Sequence, residues 1–357
     1  MKLTLSLMLI VLVGCSGSSK LSKASIENDQ LIVFVKDKGS IVLTNATGQF
    51  EKKIYESDHQ VLYAAWSNND SLIVFWEKNE EENDVFLKAI RTAELPTETA
   101  QTIVSDAKHK FLKFNFVDND EIVYCDLAGL VHCDFVSKRH RFVKDTKVES
   151  FEYSKVLHAV FFSNDSALMK VNLKTKQVLK LVDSKDKSIT NISVSQDGTR
   201  LFYAKESELY VIETTAPYRV LSQQKLVSPV YWVTWIGSEE VLVQAGHITK
   251  NHMMSNKNFL EPTRRSKRSL GSMAFYRFNL SSGLVQKVFN KSESVSLANP
   301  SLSANKKYLT FVSNTLKSTR KVHLLSLAEG KAAQISKKGL AYSPGWQNTN
   351  QKVLTEE

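Results

Sequence analysis

Cysteine is nearly missing from this chain, with three in 357 residues. Cys125 and Cys133 stand eight positions apart, too far for the usual CxxC metal or redox motif. Long apolar runs are missing too. The longest, Leu3 to Val13, covers eleven residues, about 16 Å of helix and roughly half the hydrocarbon thickness of a bilayer, which excludes a spanning helix there. No amphipathic run reaches twelve residues, so a helical architecture has nothing to build on. The catalytic signatures are absent as well. Without GxSxG there is no nucleophile elbow for a peptidase or esterase. Walker-type glycine loops and HExxH are not found. What remains is an ordinary folded composition, 42% hydrophobic and 24% charged, which argues against disorder.

The first residues have a purpose of their own. Met1 and Lys2 form a minimal basic start, the apolar run follows, and small residues come next, the layout of a secretory signal peptide. Leu12-Val13-Gly14-Cys15 resembles the lipobox of bacterial lipoproteins. That resemblance implies cleavage between Gly14 and Cys15, leaving 343 residues, with lipids on Cys15. It also implies, through Ser16 after the cysteine, passage to the outer membrane, facing the periplasm or the cell surface. The alternative is an ordinary signal peptide with a chance cysteine. Acyl chains, at about 0.8 kcal/mol per buried methylene, hold a domain on a membrane without any spanning helix. Residues 1–14 therefore read as signal peptide, and 15–24 as the lipidated cysteine and a flexible tether.

The net charge is +10 for the whole chain. In an exported protein such a surface meets anionic lipid, cell-wall polymer or an acidic protein rather than nucleic acid. The two remaining cysteines flank a turn in "YCDLAGLVHCDF". With the loop at Ala128-Gly129-Leu130, paired positions sum to 258 and Cys125 faces Cys133. An oxidising compartment then allows a cross-strand disulfide, although hairpin geometry strains it. The other reading is two thiols serving as small apolar side chains.

Internal repeats dominate the rest. "AAWSNNDSLIVFW" (64–76), "FNFVDNDEIVYC" (114–125), "NISVSQDGTRLFYA" (191–204), "VTWIGSEEVLVQA" (233–245) and "PSLSANKKYLTFV" (300–312) share one plan. Each has an apolar end, a short turn rich in Asn, Asp, Ser or Gly, and an apolar run. "ASIENDQLIVFV" (24–35) and "PGWQNTNQKVLTE" (344–356) fit the plan, and "SFEYSKVLHAVFF" (150–162) fits it weakly. The turn residues tolerate tight or left-handed backbone, and the flanks are β-branched or aromatic, so each copy reads as strand, turn, strand. Second halves such as "ALMKVNLKTKQVLKLV" (167–182) and "AFYRFNLSSGLVQKVF" (274–289) add two more strands. Four strands in roughly 46 residues are a propeller blade. The fold expected for 25–357 is all-β, a single β-propeller of seven four-stranded antiparallel blades, with six or eight as alternatives. The last repeat supplies only opening strands, so N- and C-terminal strands are expected to close the ring, which removes sheet edges.

Ser195-Gln196-Asp197-Gly198-Thr199-Arg200-Leu201, Pro300-Ser301-Leu302-Ser303 and Asn279-Leu280-Ser281-Ser282-Gly283 resemble the repeats of TolB-type propellers and of the propeller domain of prolyl oligopeptidases. The likeness covers roughly residues 24 to 357 and is degenerate, with Gly198 the only glycine in an Asp-Gly turn. It implies a fold more than a function, because a propeller carries many unrelated activities.

Candidate functional residues are few. The interval between the sixth and seventh repeat motifs stretches to 67 residues. The insertion at about 247–273 holds Arg264, Arg265, Lys267 and Arg268 against a single Glu261. It reads either as a basic arm that docks on an acidic partner or anionic lipid, or as a solvated insertion. His247, His252, Met253 and Met254 could hold a soft ion, but a loop spacing of five fixes no geometry. No metal site, cofactor or catalytic residue is therefore assigned. His132 and His158 fall on expected strands as half-buried side chains. Trp66, Trp235 and Trp346 share one repeat position, which argues for core packing. The run "EKNEEEND" (77–84) is expected to keep a long hairpin soluble. The function expected is a non-enzymatic, lipid-anchored envelope protein whose propeller binds a protein partner or senses a signal. The alternative is a polysaccharide-active enzyme or glycan-binding propeller in the periplasm.

Overall fold

The computed structural model describes residues 30–348 apart from 83, 106–108, 127–128, 137–138, 145, 185–187, 206, 227–228, 247–272, 291–294, 316–319 and 338. Gly14, Cys15 and the four cations Arg264, Arg265, Lys267 and Arg268 lie outside the described residues, as do His247, His252, Met253 and Met254.

Among the described residues, twenty-eight strands form seven four-stranded sheets, as the repeats predict. Blade 1 contains β1 (Leu31–Lys36), β2 (Ser40–Asn45) and β3 (Glu51–Glu56). Blade 2 has β4 (Gln60–Trp66), β5 (Leu72–Lys78), β6 (Val85–Arg91) and β7 (Gln101–Val104). Blade 3 has β8 (His109–Phe116), β9 (Glu121–Asp126), β10 (Gly129–Asp134) and β11 (Arg139–Lys144). The weak repeat is a full blade 4, with β12 (Ser150–Ser154), β13 (Ala159–Ser163), β14 (Ala167–Asn172) and β15 (Val178–Asp183). Blade 5 has β16 (Ile189–Val194), β17 (Arg200–Lys205), β18 (Glu208–Glu213) and β19 (Val220–Lys225). Blade 6 has β20 (Val230–Trp235), β21 (Glu240–Gly246), β22 (Met273–Asn279) and β23 (Val285–Asn290). Blade 7 has β24 (Val295–Leu302), β25 (Tyr308–Thr315), β26 (Arg320–Ser326) and β27 (Lys331–Gln334). The last strand, β28 (Ala341–Trp346), pairs antiparallel with β1 and becomes the innermost strand of blade 1. One C-terminal strand thus closes the ring.

Seven buried apolar clusters fill the seven seams, each drawn from two neighbouring blades. This explains why the second strand of a blade reads as a continuous apolar run, as in "LIVFW" of β5. Both faces of that strand are covered, so the alternation expected of a half-exposed strand disappears. Trp66, Trp235 and Trp346 are buried at the ends of their innermost strands, and Trp76 is fully buried.

The turn chemistry follows from three residues. Ser67, Ser195 and Ser303 accept the backbone N–H five residues on, at 3.0, 2.9 and 3.0 Å. Their hydroxyls donate to Asn69, Asp197 and Asn305 at 3.0, 2.6 and 2.8 Å. The next residue takes a left-handed backbone, φ 58° at Asp70, 74° at Gly198 and 58° at Lys306. The Ser-x-Asx pattern is therefore a side-chain staple over a tight turn, and Gly198 marks its least strained form.

Two readings need correction. The hairpin of β9 and β10 pairs Cys125 with Leu130 and Ile122 with Cys133, so paired positions sum to 255 instead of 258. The slip of three positions separates the cysteines. Cys125 packs into the seam between blades 3 and 4, and Cys133 into the seam between blades 2 and 3. They lie on opposite faces of the blade and form no disulfide. His158 sits in the turn before β13 with φ 45° rather than on a strand.

Strands alternate in direction, which sorts the loops. The turns joining first to second and third to fourth strands leave one end of every blade, the turn end. The second-to-third hairpins and the connections between blades leave the other, the hairpin end. Gln347 N–H donates to Leu31 O at 2.9 Å, so the described chain enters and leaves at the turn end. Strands β21 and β22, which flank the basic insertion, meet at the hairpin end.

Candidate functional site

The innermost strands surround the central channel, and one repeat position dominates it. Three residues before the position of Trp66, Trp235 and Trp346 come Tyr63, Lys113, Ser150, Asn191, Trp232, Asn299 and Ser343, one per blade. Each reaches the next blade. Lys113 Nζ donates to Phe151 O at 3.1 Å, and Ser150 Oγ accepts from Ile192 N at 3.4 Å. Asn191 Nδ2 donates to Val230 O at 2.8 Å. Asn299 Nδ2 donates to Ser343 Oγ at 3.3 Å, and Ser343 Oγ to Leu62 O at 3.3 Å. Tyr63 meets Phe114 edge-on with ring centroids 5.2 Å apart, and Trp232 packs into the seam of blades 6 and 7.

Backbone irregularity aims three of these side chains. Asn191, Asn299 and Ser343 have φ of 54°, 47° and 45°. Each lies within a register shift of its innermost strand. A bulge adds a residue and re-aims its side chain. Asparagine tolerates the left-handed conformation better than a branched residue does. Indoles reach the opposite way around the ring, Trp235 Nε1 to Ser193 O at 3.1 Å and Trp346 Nε1 to Ser301 O at 3.0 Å. The channel wall is thus a girdle of blade-to-blade bonds.

Ionisable groups sit on this girdle. Lys113 is ion-paired with Glu152 of the next innermost strand. Burial, and secondarily Glu152, pushes the Tyr63 phenol up to about 12. At the turn end, Lys306 Nζ donates to Gln196 Oε1 at 3.0 Å, joining blade 7 to blade 5 past blade 6. Burial lowers the Lys306 ammonium below the usual lysine range.

A second titratable set lies between blades 3 and 4. His132 Nε2 and Glu121 Oε2 are 3.0 Å apart. Tyr153 nearby is raised by burial, then by Glu121 and Asp118, and Lys176 is lowered by burial. A histidine held by a carboxylate is the pairing that proton transfer requires. A third set is structural. Glu77 is fully buried between Lys88, its ion-pair partner, and Tyr55, whose hydroxyl donates to it at 3.2 Å. The acidic run "EKNEEEND" thus starts with an interior residue, Glu77, while Glu80, Glu81 and Glu82 at the hairpin tip are exposed as expected. Among the described residues no group of three or more His, Cys, Asp or Glu side chains is placed to hold a metal. A shallow cleft of about 270 Å³ beside Arg91, Glu94 and Thr99 adds only a loose ion pair of 3.9 Å.

Sequence reasoning missed Lys113, Glu152, Asn191, Asn299 and Lys306. Aligning the repeats on the tryptophan position brings the first, third and fourth of these to the same place, so the signal was available at that one offset. His132 is half-buried on β10, as expected.

No protein-family model matches the chain, and no curated protein matches it in sequence. Solved structures do. A puromycin hydrolase matches with TM-score 0.60 at 11% identity, over 88% of this chain and 53% of its own. A functionally unknown protein from Desulfotomaculum acetoxidans DSM 771 matches with TM-score 0.57 at 11% identity, over 89% and 98%. TolB from Acinetobacter baumannii matches with TM-score 0.49 at 13% identity, over 90% and 68%. The chain spans about half of the hydrolase. At these identities the likeness is one of fold, the propeller that the repeat pattern predicts.

Proposed function

We propose that this protein is a non-catalytic, lipid-anchored propeller of the bacterial cell envelope, held at the outer membrane through Cys15, whose loops bind another protein. The observation that carries the reading is the girdle. Side chains at the central channel position, where a propeller could place reacting groups, are committed to neighbouring blades. A ring bonded in this way is a rigid frame, and recognition falls to the loops it displays. The fold of TolB is consistent with such a role but does not decide it, because a hydrolase shares the same architecture.

Crosslinking and affinity purification of the tagged protein from its native envelope test the reading. One reproducible protein partner is expected, lost when Arg264, Arg265, Lys267 and Arg268 are changed to serine. A Cys15→Ser form that stays in the detergent phase overturns the anchor. The second reading, a polysaccharide-directed enzyme, draws support from Glu121 and His132 beside Tyr153. Depolymerisation of an envelope glycan that Glu121→Gln abolishes would establish it instead.

A further inference from the structure

One position before the tryptophan site, the innermost strands carry a second layer of residues. Asn115 and Glu152 occupy it on blades 3 and 4, and Ser193, Thr234 and Ser301 on blades 5, 6 and 7. Gly345 and Ala65, on blades 1 and 2, complete it with almost no side chain. Residues immediately before these, such as Phe114, Phe151, Ile192 and Val233, are buried in the seams. Ala65, Asn115, Glu152, Thr234 and Ser301 are half-buried instead. Neighbouring blades cover both faces of these strands, so that exposure opens on the central channel.

Unlike the girdle, this layer is not committed to the frame. The Ser193 and Ser301 carbonyls hold the indoles of Trp235 and Trp346. The hydroxyls of Ser193, Thr234 and Ser301 have no hydrogen-bond partner among the described residues. Asn115 Oδ1 is buried and accepts no hydrogen bond. A buried acceptor left unsatisfied is costly and rare, and it calls for a donor from outside the chain. Lys113 donates to Glu152 Oε2 and cancels its charge, while the other six residues of the layer are neutral. Tyr63 and Trp232, two positions earlier on their strands, add half-buried aromatic rings. The Glu152 charge reaches the Tyr63 phenol, so the two border the same space.

From this unengaged layer we infer that the central channel binds a neutral saccharide. Sugar hydroxyls both donate and accept, which matches three hydroxyls, an amide and a carboxylate oxygen. Aromatic side chains beside a few convergent polar groups suit the C–H faces of the same ligand. Charge balance argues against an ion. Because Lys113 and Glu152 already neutralise each other, neither a cation nor an anion gains a free counter-charge there. The short side chains of the other five blades leave space opposite the acceptors. The inference goes beyond the protein-binding reading and beyond the Glu121–His132 reading, and it depends on neither.

Saturation-transfer NMR of the purified protein tests it, with glucose, N-acetylglucosamine and cellobiose as neutral probes and glucuronate as the charged one. Transfer to at least one neutral sugar is expected, and it should exceed transfer to glucuronate. Thr234→Val/Ser301→Ala removes two hydroxyls at nearly constant size and should weaken the titrated affinity for that sugar about tenfold, with the melting curve unchanged. Glu152→Gln takes the balancing charge from Lys113 and should turn the preference toward glucuronate. A channel that holds only water gives no transfer to any neutral sugar, which overturns the inference. Unchanged affinity in the double variant, or an unchanged preference in Glu152→Gln, overturns it as well. Preference of the parent protein for glucuronate does the same, by assigning the channel to an anion. Cys15→Ser and Glu121→Gln lie outside the channel layer, so failure of either earlier reading shows separately.

Discussion

Replacing Lys88 by methionine leaves the Glu77 carboxylate buried without its cation. Glu77 has no solvent exposure, and its neighbours are the Lys88 ammonium and the Tyr55 hydroxyl at 3.2 Å. Breaking a buried pair by removing one partner costs about 3–5 kcal/mol, because an uncompensated charge stays inside. Replacing both partners by apolar residues of similar volume removes the burden with the benefit and is often neutral or stabilising. For a domain of this length, about 1.5 °C of melting temperature corresponds to 1 kcal/mol. Lys88→Met is therefore expected to melt about 5–8 °C lower, and Glu77→Met/Lys88→Met within about 2 °C of the parent. Differential scanning calorimetry of the three proteins at neutral pH decides. A double variant as unstable as the single one refutes the reasoning, since the cost would then come from packing and not from a stranded charge.

Other outcomes follow from the same geometry. Titration of the denatured, unreduced mature protein should find thiols at both Cys125 and Cys133, because the β9–β10 register holds them on opposite faces; a cystine between them contradicts that register. Asn191→Ala should cost about 1–3 kcal/mol by leaving Val230 O without its donor, whereas Asn191→Gly should cost less because it relieves φ 54°. Equal thermal shifts would remove the backbone contribution. Tyr55 and Tyr63 both have phenols raised from 10.0 to about 12, chiefly by burial. Raised folded values favour the protonated form, so this stability is complete below pH 10 and lost as pH climbs through about 12. Tyr63→Phe should flatten the fall in melting temperature over that window, and an unchanged slope would contradict the assignment. Ending the chain before Ala341 removes β28 and should abolish cooperative melting; a truncated protein that melts like the parent would show that ring closure contributes little.

Local chemistry determined much of this protein. Serine and Asx at fixed spacing staple a turn whatever surrounds it, so the repeat pattern announced blades and made seven the expected number, with six or eight left open. Trp66, Trp235 and Trp346 announced the core because one repeat position holds one environment. Even the weak copy at 150–162 folds as a blade, since its neighbours supply both seams.

Tertiary structure decided the rest. Whether a hairpin turns after Asp126 or a residue or two later changes which side chains meet, and only the packing of Leu130 and Val123 into one seam fixed the register that parts Cys125 from Cys133. The girdle needed the ring, because Asn191 and Val230 stand thirty-nine residues apart and meet only when blades curve around an axis. Glu77 looked like part of a solvated acidic run, and its burial depends on Tyr55 from the blade before it. A sequence fixes what each residue can do nearby, whereas proximity across a closed ring is a property of the whole.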